Sequence, residues 1–474
     1  MQNKLIKDFA WYFLSSIIPI AVGVIKTPIY TRHYSQADFG YLGIASVTYM
    51  FLSMMFFTWI ASCLWRYFPK YKKLEKLPVL YTNITVLLLL GTLCISVFTI
   101  GWYLYEDLEL MKTLIFYSAL NIVVSQLYTI YMVVSRIEGK ARFYTLVNST
   151  RVIIGFLTVL ILVFVLKQDI VALVLGLAIV DTVSFLLLVI LNPSNISLST
   201  KLINKDSLKE LAIYGSAGLL FNVCFLAIST GDRYIIGWLG TIEEVGIYDQ
   251  VYKISQLSIT ALVTVYINTI NPNLLEELEH NYDQSKLMIR RYLQVLLFVG
   301  IPAMFYLSLG SKEIADLLLG PKFRVGYTMM PFIFFTAFLH GVSHFYHIRY
   351  KFSDRLKKLS GVLILGTIFN IVTTTVFVYF FNYKWAAVTS LLTYIFIMSI
   401  FYIREYEVLP LTKLKLIYSF KFFGVLSLQL LIYLILQQYI SFNIISKIGL
   451  CLLFALTFVF VFKRQVLNLK SYIQ

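Results

Sequence analysis

The chain has 474 residues, of which 59% are hydrophobic and only 14% are charged, against about 25% charged in a soluble domain. Its formal charge is +16, but Lys and Arg gather in every second loop, a pattern that sets membrane topology and argues against nucleic acid as a partner. Apolar runs of about 20 residues recur along the whole length, continuous and without period-two alternation, which excludes a transmembrane barrel and defines an all-α polytopic membrane protein.

Lys4 and Lys7 precede the first apolar run, as in a secretory leader. The run continues through Ile25 to Lys26 and Pro28 with no small-residue cleavage site, so it reads as an uncleaved first span. The chain holds about 14 spans, near 9–32, 37–62, 78–104, 112–135, 145–166, 170–191, 209–236, 246–270, 291–310, 327–349, 361–381, 385–403, 417–437 and 444–462. With the N-terminus in the cytoplasm, about 28 of the 40 Lys and Arg residues flank cytoplasmic span ends and about 9 flank outer ends. Orientation is therefore N-in and C-in. Outer loops are short. The longest, Ser311 to Gly326, carries Ile314, Leu317 and Leu318 at helical spacing and reads as a short interfacial helix. Cys63, Cys94, Cys224 and Cys451 lie in apolar runs without ligand spacing and read as small hydrophobic residues, with no disulfide expected.

One stretch has a twin. Thr241-Ile-Glu-Glu244-Val-Gly246 superposes without a gap on Ser35-Gln-Ala-Asp38-Phe-Gly40 when the sequence is shifted by 206 residues. Both carry the capping-box pattern, a hydroxyl followed three residues later by an acid. Ser207-Leu-Lys-Glu210 repeats it before span seven. Spans one to six and seven to twelve both start in the cytoplasm and form two parallel six-helix copies, an N-terminal lobe at 1–200 and a C-terminal lobe at 201–410. Spans thirteen and fourteen, at 411–474, are extra. Parallel repeats with a site between them are a transporter pattern.

A charge at the bilayer centre costs about 2.5–3.5 kcal/mol on insertion scales, so it should face a cavity or a partner. Lys26 lies in span one with Tyr30 and His33 beyond it, and Pro19 and Pro28 are expected to break or bend that helix. Lys26 either lines a cavity or snorkels to the outer headgroups. Arg151 in span five and Asp181 in span six lie on adjacent antiparallel helices and can pair, as a structural ion pair or as one that opens during transport. Asp232 and Arg233 end span seven, with Asn222, Ser229 and Arg233 forming a polar stripe. Asp249 and Lys253 open span eight four residues apart, close enough to pair along the helix. His340, His344 and His347 share a face of span ten, but no acid or cysteine there completes a metal site. They read as a polar face toward a cavity or the cytoplasmic mouth.

Thr27-Pro28-Ile-Tyr30-Thr-Arg32 followed by Asp38-Phe-Gly40 resembles the start of the bacterial polysaccharide flippases of the multidrug/oligosaccharidyl-lipid/polysaccharide exporter superfamily. Gly231-Asp232-Arg233-Tyr-Ile-Ile-Gly237, then Val245-Gly246-Ile-Tyr248, resembles their second repeat. The resemblance implies a non-enzymatic flippase of the bacterial cytoplasmic membrane. Such proteins move undecaprenyl-diphosphate-linked oligosaccharides to the outer leaflet for surface polysaccharides such as O-antigen and capsule. It also implies two lobes around a cationic cavity, coupling to an H+ or Na+ gradient without any cofactor, and the polysaccharide polymerase machinery and membrane lipids as partners. Lys26, Arg32, Arg151, Asp181, Asp232, Arg233 and Lys253 are the cavity candidates, chosen as buried charges, and their cationic balance suits a diphosphate in low dielectric. A drug/cation antiporter of the same superfamily would favour twelve spans and an acid-dominated cavity. A lipid II flippase is a close variant. A membrane glycosyltransferase or polymerase would need an acid pair or nucleophile that the short outer loops do not offer.

Overall fold

Bilayers admit only backbone that satisfies its own hydrogen bonds, so continuous apolar runs become helices. The computed structural model describes residues 2–191, 199–280, 282–352, 356–404, 420–439, 444–463 and 465, and every secondary element in them is helical. The loop residues 192–198 and 405–416, the expected start of span thirteen at 417–419 and most of the tail lie outside the described residues.

The elements run α1 (Gln2–His33), α2 (Gln36–Ser53), α3 (Trp59–Lys73), α4 (Leu77–Tyr105), α5 (Glu109–Ile137), α6 (Ala141–Leu160), α7 (Ala172–Leu191), α8 (Lys205–Thr230) and α9 (Asp232–Leu239). They continue as α10 (Ile242–His280), α11 (Tyr282–Leu309), α12 (Ser311–Leu318), α13 (Met330–Phe352), α14 (Leu356–Phe380), α15 (Trp385–Arg404), α16 (Phe420–Tyr439) and α17 (Ile444–Val461). Among the described residues, 12 helices are long and apolar enough to cross a membrane, and Ile445–Val461 is a shorter apolar helix. The expected eighth span falls in α10. The protein is thus a multi-pass helical membrane protein, and the expected count of about 14 agrees with it.

Several local expectations are met in atomic detail. Ser35 caps α2, with Asp38 N–H donating to Ser35 Oγ at 3.2 Å and Ser35 N–H donating to Asp38 Oδ2 at 2.9 Å. Thr241 and Glu244 close the twin box at 3.1 and 3.3 Å. A short helix does form in the stretch from Ser311 to Gly326: it is α12, with Leu317 exposed.

Two expectations are corrected. The cap of α8 is Asn204, whose side chain accepts from Asp206 N–H at 2.9 Å and Ser207 N–H at 3.1 Å. Ser207 and Glu210 instead reach across to α3. Asn serves as well as Ser at an N-cap, so the helix starts one turn earlier. Of the break or bend expected at Pro19 and Pro28, the break does not occur: α1 is continuous from Gln2 to His33. In lipid no water competes for the freed carbonyls, so the ladder resumes on either side of each ring. Thr27 Oγ1 donating to Gly23 O at 2.9 Å and Thr31 Oγ1 donating to Thr27 O at 2.7 Å add side-chain bonds in the last turns.

The break lies in span two, where a π-turn at Met54–Thr58 separates α2 from α3. Such turns leave carbonyls short of a partner. Trp59 Nε1 donates to Met55 O at 3.0 Å, and Thr58 Oγ1 to Ser53 O at 3.2 Å. Phe57 is fully buried there, closely packed against Gly91 of α4. Small residues let membrane helices approach, which is where their packing energy comes from.

The chain divides into two compact units, Met1–Asp249 and Gln250–Gln474. In the first, α5 packs on α7, α1 on α6, and α8 against α3 and α4. In the second, α13 packs on α11 and α15, and α14 on α15. The additional hairpin is tied in by polar contacts. Tyr306 OH donates to Gln429 Oε1 at 3.0 Å, and Gln429 Nε2 donates to Phe454 O and to Thr457 Oγ1, each at 2.9 Å. Lys447 pairs with Glu313 of α12 at 2.8 Å, both nearly enclosed.

Candidate translocation site

Two charged centres are buried in the first unit. The first joins α6 to α7. Arg151 forks onto Asp181, Nε to Oδ1 at 2.6 Å and Nη2 to Oδ2 at 2.7 Å. The Asp181 side chain is 3% exposed and that of Arg151 22%. The guanidinium also lies 4.5 Å from the centre of the Tyr128 ring, on α5. A two-point fork on a planar carboxylate, backed by a ring, fixes the crossing of three helices.

The second centre sits where α9 and α10 meet. Arg233 donates from Nη1 to Asp232 Oδ1 at 2.7 Å and to Ser229 O at 2.9 Å, and from Nε to Asp249 Oδ1 at 3.4 Å. Tyr248 OH donates to Asp232 Oδ2, and its ring lies 5.2 Å from the guanidinium. Asp232, Arg233 and Asp249 are each at most 2% exposed. The contact to Ser229 is with its backbone carbonyl, while the Ser229 hydroxyl donates to the carbonyls of Phe225 and Leu226. Asp249, expected to pair along its helix with Lys253, reaches back to Arg233.

The twin capping boxes meet beside this centre. A Cβ on Gly40 would collide with the Ile242 carbonyl, and one on Gly246 with the carbonyl of Gln36. Under the shift of 206, Gln36 corresponds to Ile242 and Gly40 to Gly246. The two contacts are therefore the same contact made twice, each half of the duplication supplying a glycine to the other's helix start. Only glycine allows that approach.

Lys26, Arg32 and Lys253 are exposed at the protein surface rather than enclosed. Arg32 Nη1 donates to Pro28 O at 2.9 Å, at the end of α1. Tyr30 is buried against Phe156, and His33 packs on Phe164. The seven candidates thus separate into two enclosed groups, Arg151–Asp181 and Asp232–Arg233, and three surface cations. Of the histidines of α13, His344 Nε2 lies 3.1 Å from Asn271 Oδ1, and His340 packs on Tyr394. Among the described residues no group of three or more His, Cys, Asp or Glu could hold a metal.

The sequence reading missed Tyr128 and Tyr248, the aromatic members of the two centres. Tyr248 lies at the end of a motif already singled out. Tyr128 carries no signal beyond its place in the helix facing Arg151.

Among the described residues, a dozen helices long and apolar enough to cross a membrane make this a polytopic membrane protein. Residues 29–327, more than half of the chain, match the family described as polysaccharide biosynthesis protein, and the chain belongs to that family. The structure is similar to a lipid II flippase MurJ in an inward closed conformation, with TM-score 0.65 and 15% identity, over 98% of this chain and 100% of that one. It is similar to an inward-facing multidrug resistance MATE family transporter of the MOP superfamily, with TM-score 0.65 and 12% identity, over 85% of this chain and 96% of that one. A point mutant of the Vibrio cholerae MATE transporter VcmN aligns with TM-score 0.55 and 10% identity, over 87% of this chain and 98% of that one. The fold is that of the multidrug/oligosaccharidyl-lipid/polysaccharide exporter superfamily. No curated protein matches the sequence.

Proposed function

We propose that this protein flips undecaprenyl-diphosphate-linked oligosaccharide repeat units from the cytoplasmic to the outer leaflet of the bacterial cytoplasmic membrane. It does so by alternating access, driven by an H+ or Na+ gradient, and hands its product to a polysaccharide polymerase. The observation that carries the reading is the family match over residues 29–327, on a transporter fold.

The Arg151–Asp181 centre sets one arginine against one aspartate, whereas the second sets Arg233 against both Asp232 and Asp249, an excess of acid that a cation antiporter could use. The surface cations fit the flippase reading. Lys26, Arg32 and Lys253 lie at the surface, where ammonium and guanidinium groups can compensate a diphosphate. The lobes at 1–200 and 201–410 are the moving halves, with the repeat as the reason for dividing them there.

The test is made in proteoliposomes. One leaflet is loaded with an undecaprenyl-diphosphate oligosaccharide and its appearance in the other is followed with and without an ion gradient. Gradient-dependent appearance supports the reading. An immobile lipid together with exchange of an organic cation makes the protein an antiporter.

A further inference from the structure

A separate cleft lies at the cytoplasm-assigned end of the first unit, away from both charged centres. Tyr67 of α3 and Asp206, Lys209, Glu210, Ile213 and Tyr214 of α8 line an open cleft of about 470 Å³. That volume is in the range of small-ligand pockets. The walls are held in place by several contacts. Tyr71 OH and Ser207 Oγ lie 3.0 Å apart, Lys70 Nζ is 3.1 Å from Glu210 Oε1, and Cys63 Sγ donates to Leu211 O at 3.3 Å. Asn83 of α4 holds the start of α8 from beneath, accepting from Asn204 N–H at 3.1 Å and donating to Leu202 O at 3.3 Å. The Tyr67 and Tyr214 rings meet edge to face at 5.6 Å, and Tyr214 is 41% exposed.

We infer that this cleft is a docking site for the neutral sugars of the substrate's head group, on the side from which the substrate is loaded. The inference rests on the flippase reading. Its chemistry is that of carbohydrate recognition. A pyranose ring has an apolar C–H face that lies flat on a tyrosine ring. Its hydroxyls need acceptors and donors at the rim, and carboxylates accept through both oxygens. Asp206 and Glu210 supply the acceptors and Lys209 a donor. Charge decides between sugar and diphosphate. The lining itself carries two carboxylates, Asp206 and Glu210, against the single ammonium of Lys209, and the neighbouring Lys70 is taken up by Glu210. A diphosphate requires surplus cation, and the lining offers none, whereas a neutral sugar requires only hydrogen-bonding partners.

The experiment uses the full chain in lipid nanodiscs and two probes, undecaprenyl diphosphate bearing a neutral disaccharide and undecaprenyl diphosphate alone. Affinity for each is read by native mass spectrometry. Tyr67→Ala and Tyr214→Ala should weaken the sugar-bearing lipid about tenfold, one stacked ring being worth roughly a decade in Kd. They should leave the bare lipid unchanged, and Tyr214→Phe should keep wild-type affinity for both. Should Tyr67→Ala fail to fold, the partly exposed Tyr214 carries the test alone. Equal loss for both lipids, or loss for neither, overturns the inference. When the wild type flips the sugar-bearing lipid and the tyrosine variants bind both probes normally, the cleft assignment falls and the flippase reading stands. When the variants lose only the sugar-bearing lipid but the wild type flips neither probe, the flippase reading falls and the cleft stands as a glycan site.

Discussion

Replacing Asp181 by Asn leaves Arg151 as an enclosed cation without its carboxylate. Breaking one side of a buried pair costs about 3–5 kcal/mol. Here the lower end applies, for two reasons in the structure. The Arg151 side chain keeps 22% exposure, and the Tyr128 ring at 4.5 Å still faces the guanidinium, which is worth about 0.5–2 kcal/mol. With the first unit of the chain as the melting body, a loss of about 3 kcal/mol lowers Tm by roughly 6 °C. The assay is thermal unfolding in detergent, followed by tryptophan fluorescence, on Asp181→Asn, Arg151→Gln and the double variant. The two groups contact each other directly, so the double variant should be more stable than the sum of the singles by at least about 1 kcal/mol. Additive effects would refute the pairing as the source of the loss. The apolar double replacement Arg151→Met with Asp181→Leu should fold as well as the wild type. If it also flips lipid at the wild-type rate, the pair holds helices together and takes no part in transport.

Gly246→Ala should cost more than about 2 kcal/mol, because its Cβ meets the backbone carbonyl of Gln36 and neither helix start can yield. Gly361→Ala, where a Cβ meets nothing within 4 Å, should leave thermal unfolding unchanged or slightly improved. Lys26→Ala should abolish lipid flipping while leaving Tm within about 2 °C, since exposed substitutions shift stability by about 0.5 kcal/mol or less; normal flipping would remove Lys26 from the site. Lys447→Met should strand the Glu313 carboxylate, which is 2.8 Å from the ammonium. Limited proteolysis should then release the C-terminal hairpin about a hundredfold faster, as a loss of about 3 kcal/mol in local stability requires.

The membrane class, the helical build, the approximate span count and the capping boxes at Ser35 and Thr241 are all legible in the sequence. Each follows from interactions within a few residues or from composition: the bilayer forces apolar runs into helices, and a cap needs only its own first turn. The Arg151–Asp181 pair is legible too, because consecutive antiparallel spans joined by a short loop have little choice but to pack together. Tertiary structure decided what lies across from each face once helices are not neighbours in sequence. The fork of Arg233 toward Asp232 and Asp249, the hydroxyl of Tyr248, the aromatic cleft of Tyr67 and Tyr214, and the reciprocal seating of Gly40 and Gly246 all depend on the register and crossing of packed helices. Sequence spacing says which residues share a face of one helix, but a contact between faces forms only where packing brings two backbones close, and that is a property of the whole bundle.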